Sequence, residues 1–184
     1  MDYLKKDNLA IYEEQKATFQ FIFDHVNLSK IAFVGGVADY INLRDYYKMP
    51  VHDLDIIYQN EDDLKEIINK IGVKRHLCSF YKFDQMQVLV ADFFINNKRV
   101  HIDFFKRNYI REGITTSYLL GHQVKHSSFE SMQKFHNAHV SMLTSDALGE
   151  KYEWKRLYKH SKKASLYNMI CYQKEKLTKD LSHA

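Results

Sequence analysis

Apolar residues recur at helical spacing between about Ala10 and Val26, where Phe19, Ile22, Phe23 and Val26 share one face and charged residues take the other. Ile31-Ala32-Phe33-Val34 is a short continuous apolar run that ends at Gly35-Gly36, and it reads as a buried strand. From Val37 to about Tyr47 the pattern is helical again. Pro50 breaks it, and Leu54-Asp55-Ile56-Ile57-Tyr58 reads as a second strand. Glu61 to Ile71 is a helix opened by acids, which suit its N-terminal dipole, and closed by Gly72. Gln87 to Ile95 and Arg99 to Phe105 are rich in Val, Ile and Phe and flank Asn96-Asn97-Lys98, a turn suited to a hairpin. Cys78 to Phe83 adds an edge strand. From Thr116 onward the chain reads as mostly helical, with Met132, Phe135, His139 and Met142 on one stripe. This order predicts an α+β fold: a small mixed β-sheet backed by helices, followed by a helical C-terminal part. The expected division is a core over residues 1–110 and a helical segment packed on it over residues 111–184.

Composition sharpens this picture at a few points. The chain has 184 residues, 13 Tyr and 12 Phe, enough rings to fill a sizeable core, so wholesale disorder is excluded. Six Gly and one Pro are too few for a collagen-like or many-turned sandwich design. The longest run without Asp, Glu, Lys or Arg is Gly113 to Val124, well short of the ~20 apolar residues of a membrane span. The opening residues carry lysines without an apolar segment behind them, so no signal peptide is expected. Cys78 and Cys171 are expected to be free thiols in a reducing compartment, the cytoplasm.

The net charge of +4 is unevenly spread. Residues 1–150 carry 18 Lys/Arg against 20 Asp/Glu, whereas residues 151–184 carry 9 against 3. Such a basic segment suits phosphate, on a nucleotide or along an RNA, or else forms a solvated helix face. Trp154, among Tyr152, Lys155, Arg156 and Tyr158, suits base stacking, but anchoring of a terminal helix is the stronger expectation. His122 and His126 have i, i+4 spacing without the Glu of a His-Glu-x-x-His motif, which argues against zinc.

Three carboxylates stand out by position. Asp53 and Asp55 flank Leu54 at the start of a predicted strand, and residues two apart in a strand project to the same side. Asp103 sits between Ile102 and Phe104 in another strand. A charge in a buried strand is costly unless it is paired or bound to a cation, and hard divalent cations prefer oxygen ligands. Gly35-Gly36, between a strand and a helix, lets backbone N–H groups approach an anion at the helix N-terminus. Neither a Gly-x-Gly-x-x-Gly fingerprint nor the Gly-Lys-Ser/Thr ending of a P-loop is present.

Gly35-Gly36 after the strand Ile31–Val34, then Asp53-Leu54-Asp55-Ile56, then Ile102-Asp103-Phe104 resembles the signature of the polymerase-β-type nucleotidyltransferases. The resemblance spans about residues 31–105. It is similar in particular to the antibiotic-modifying and abortive-infection-toxin-like subgroups, in which Gly-Gly-x-Ala precedes a helix and a His or acid precedes the Asp pair. Those positions here are Gly35-Gly36-Val37-Ala38 and His52. Where some relatives carry acids in a late basic helix, this chain has Ser165 and Asn168.

The resemblance implies that Asp53 and Asp55 hold two Mg²⁺ ions about 3.5–4 Å apart. Asp103 would complete the second metal site or take a proton, and Gly35 and Gly36 would seat an NTP. The implied reaction moves a nucleoside monophosphate, AMP in the first instance, onto a hydroxyl acceptor. Small chain size favours a small-molecule acceptor. The alternatives are a nucleotide- or partner-binding module without turnover, and a toxin-like enzyme acting on RNA or protein.

Overall fold

The computed structural model describes residues 13–47, 49, 51, 53–72, 78–83, 86–95, 98–107, 113–147 and 153–182. The expectations placed on Ala10, Pro50, His52, Asn96, Asn97 and Tyr152 lie outside these residues. In chain order the elements are α1 (Glu13–His25), β1 (Ile31–Val34), α2 (Gly35–Leu43), β2 (Leu54–Tyr58) and α3 (Glu61–Ile71). Then come β3 (Cys78–Phe83), β4 (Met86–Ile95), β5 (Lys98–Lys106), β6 (Ile114–Leu119), β7 (His122–Ser127), α4 (Phe129–Ala147) and α5 (Trp154–Ser182). The fold is α+β, with one mixed seven-stranded sheet in the order β3-β4-β5-β2-β1-β7-β6. β2 lies parallel to β5 and antiparallel to β1, while β1 lies parallel to β7.

Alternation within the central strands sorts their side chains onto two faces. Leu54, Ile56 and Tyr58 of β2 are buried and stand in register with Ile102 and Phe104 of β5 and Ile31 and Phe33 of β1. Onto this face α1 contributes Phe19, Ile22, Phe23 and Val26, all buried as their spacing predicts. The Phe23 ring meets Phe33 edge-on, with centroids 5.4 Å apart. Leu64, Ile67 and Ile71 of α3 join the same cluster, and Gly72 closes that helix in the left-handed region at φ +73°. Each such side chain, fully buried, contributes about 1.5–3 kcal/mol. The opposite parity of β2 and β5 carries Asp55 and Asp103.

The structure corrects the helical reading of residues 116–127. β6 and β7 form an antiparallel hairpin that extends the sheet beside β1. Ile114, Thr115, Thr116 and Tyr118 are good strand formers, but the turn between the strands conceals them. Leu120 and Gly121 form a two-residue loop in which both have positive φ, +49° and +82°. That geometry normally selects Asn-Gly or Asp-Gly, so the sequence carries no turn signal there. His122 and His126 therefore lie on a strand, where His122 sits 3.2 Å from Asp24 and buried His126 contacts Ser117 Oγ at 2.8 Å. Desolvation of its ring pushes the His126 pKa down.

The chain divides into two compact units, Met1–Ser128 and Phe129–Ala184, so the helical part begins after β7 rather than at residue 111. In the second unit α4 and α5 pack together: the Phe129 and Tyr167 rings meet at 4.7 Å, and Asn168 bonds to Gln133 and Asn137. Asn168, at the position compared with a relative's acid, is thus a tie between helices. The buried line of α4 runs through Met132, His136 and Leu143, whereas Phe135 and Met142 turn toward solvent. Cys171 is a free thiol. No helix among the described residues is long and apolar enough to cross a membrane.

Candidate active site

The chain needs a left-handed residue to leave β1 and enter α2 at once, and Gly35 supplies it at φ +52°. Val34, which precedes it as the N-cap, is extended and offers no side-chain hydrogen bond to the helix. The first N–H groups of α2 receive no cap from the N-cap side chain, an arrangement that suits an anion. A Cβ built on Gly35 would fall on Asp55 Oδ2 and stand 2.7 Å from Asp55 Cγ, so only glycine admits the carboxylate there. Gly36 is different. Its Cβ would be in ordinary contact, 3.7 Å from Asp53 Oδ1 and 3.8 Å from Val51 Cγ1. Both carboxylates thus lie against the glycine pair, with Asp53 in the bend just before β2 rather than in the strand.

The third acid comes from β5. Asp103 is the parallel partner of Asp55, one strand away on the same side, with its side chain about one-fifth exposed. Val34, at the end of β1, is the partner of Asp55 on its other side. The sheet therefore aligns Val34, Asp55 and Asp103 in one row across three adjacent strands, with Gly35, Gly36 and Asp53 beside it.

A polar chain leads to Asp103 that sequence reasoning missed. Arg99 donates from Nε and Nη2 to the two oxygens of Asp92, at 2.9 and 2.7 Å. His101 Nδ1 lies 2.9 Å from Asp92 Oδ1, and its Nε2 lies 3.2 Å from Asp103 Oδ1. The Arg99 guanidinium, followed by His101, holds the Asp92 carboxyl below the usual carboxylate range despite partial burial. The signal was the alternation itself: Arg99, His101 and Asp103 share one face of β5, and Asp92 is the direct partner of His101 on β4. Arg44 Nη1 donates to the Tyr118 carbonyl at 2.9 Å.

The donors fit Mg²⁺ in kind. Among the described residues no three His, Cys, Asp or Glu side chains are drawn together into a ready cage. Mg²⁺ is commonly held by one or two carboxylates plus substrate phosphates, and Asp53 and Asp55 beside a glycine cradle offer that half of the shell.

Comparison with solved structures matches the crystal structure of a putative nucleotidyltransferase from Thermotoga maritima, with a TM-score of 0.56 at 15% identity. The match covers 75% of this chain and 92% of that one. This chain has the nucleotidyltransferase fold. No family profile and no curated protein matches it in sequence. Within the nucleotidyltransferase fold, the likeness fixes the architecture, while the acids and glycines are this chain's own.

Proposed function

We propose that this protein is a Mg²⁺-dependent nucleotidyltransferase that moves a nucleoside monophosphate, AMP in the first instance, from an NTP to a hydroxyl acceptor. The observation that carries the reading is Gly35, whose missing side chain makes room for Asp55 beside the N-terminus of the helix α2. A triphosphate seated on Gly35 and Gly36 would have its negative charge met by the amide dipoles of α2. Asp53 and Asp55 are the residues that would hold Mg²⁺, which when bound supplies charge neutralisation on the phosphates. Asp103, in register beside Asp55, accepts the proton of the acceptor hydroxyl. The acceptor oxygen then bonds to the α-phosphorus, the bond from that phosphorus to the bridging oxygen breaks, and pyrophosphate leaves. The protein's share is positioning and electrostatics, which three acids and a glycine cradle provide.

The test is incubation of the purified protein with each α-labelled NTP and Mg²⁺ against fractions of cell extract. Label should pass to an acceptor in one fraction, and Asp53→Asn or Asp55→Asn should abolish the transfer while leaving circular dichroism unchanged. Full transfer by both variants would overturn the assignment.

A further inference from the structure

We propose that the outward face of α5 binds single-stranded nucleic acid. α5 is 29 residues long, about 43 Å at 1.5 Å per residue. His160, Ala164, Tyr167 and Ile170 form its buried line. The opposite line, at spacings of three, four and seven, runs Trp154, Tyr158, Lys162, Met169, Tyr172 and Lys176, all exposed. Tyr158 and Tyr172 are 73% and 68% exposed, and Trp154, expected as an anchor, is 60% exposed. Large rings turned to water at regular intervals need a reason, since Tyr and Trp are usually at least half covered.

Charge decides the partner. Residues 151–184 carry nine Lys/Arg and three acids, Glu153, Glu175 and Asp180, and Glu153 is engaged by Arg156. A second copy of this chain would bring like charges together, so the face selects a polyanion. A lipid surface would favour an unbroken apolar stripe, but Lys162 and Lys176 interrupt the line of rings. Rings alternating with lysines match unpaired bases strung on a phosphate backbone, the bases stacking while the ammonium groups meet phosphates. Both RNA and DNA single strands share that chemistry.

The experiment uses the full chain and omits NTP and Mg²⁺, so its outcome is independent of the catalytic reading. Anisotropy of labelled mixed-sequence single-stranded RNA, the matching DNA and the matching duplexes is titrated at several salt concentrations. Phosphatidylserine vesicles form a further arm. Wild-type protein should bind a single strand more tightly than its duplex, with affinity falling steeply as salt rises. RNA or DNA as the preferred strand names the source. Tyr158→Ala with Tyr172→Ala should weaken binding by about tenfold or more, in line with the loss of stacked bases. Lys162→Gln with Lys176→Gln should flatten the salt slope by about 1–2. Ala and Gln are good helix formers, and circular dichroism checks that α5 persists. Absence of binding at low salt, equal affinity for duplex with no effect of the tyrosines, or binding to vesicles alone would each overturn the proposal.

Discussion

At Gly35 a methyl group would have nowhere to go, because the Asp55 carboxylate already occupies its place. At Gly36, one residue on, a Cβ would only touch Asp53 and Val51. The two glycines should therefore respond differently to substitution. Gly35→Ala adds the left-handed penalty of about 1–2 kcal/mol to the displacement of Asp55. It should lower the melting temperature by about 2–8 °C and reduce NTP affinity at least about tenfold. Gly36→Ser should melt within about 2 °C of wild type. Differential scanning calorimetry with nucleotide titration makes the comparison, and equal effects at the two positions would contradict the cradle. The placement of the Asp pair and the glycines was legible because each carries a local cost: a charge at a strand, a left-handed residue before a helix. The Asp92–His101–Asp103 chain was not, since it depends on which strand lies beside β5.

Among the elements, the α4–α5 pair carries a titratable contact. His136 and His160 are buried, with their Nδ1 atoms 3.0 Å apart, so one ring donates to the other. His139 stacks on His160 at 4.6 Å. Burial first, then His136, His139, Lys163 and Lys159, push the His160 pKa down to about 3. The unfolded chain therefore takes up a proton that the folded one refuses. The contribution to stability is full above the ordinary histidine range, near 6.5, and is lost progressively as pH falls toward 3. Between pH 6.5 and 5 the loss from one such group is about 1.6 kcal/mol. Amide hydrogen exchange in α4 and α5, corrected for its intrinsic pH dependence, should accelerate accordingly, and His160→Leu should flatten the profile. An unchanged profile in that variant would contradict the assignment. Most helices and strands were readable from periodicity because each buries one face. The β6–β7 hairpin escaped because its turn places Leu120 in the left-handed region, and local sequence gives no hint that the sheet compensates the cost.

For the whole molecule, one sheet gathers residues far apart in sequence, from Val34 to Asp103, and the basic charge is concentrated in the second unit, Phe129–Ala184. A nucleotide-binding module would need only the glycines and the Asp53–Asp55 pair. What separates an enzyme from a binder is Asp103, which a binder has no hydroxyl to serve. Asp103→Asn keeps the side chain's shape and removes its charge and basicity. The decisive measurement is parallel NTP titration calorimetry and pyrophosphate release on wild type and Asp103→Asn, with Mg²⁺ and the acceptor fraction present. Affinity should stay within about tenfold, roughly 1.4 kcal/mol, while turnover falls by at least ~10²–10⁴. Turnover that survives the substitution unchanged would contradict the proposed transfer mechanism.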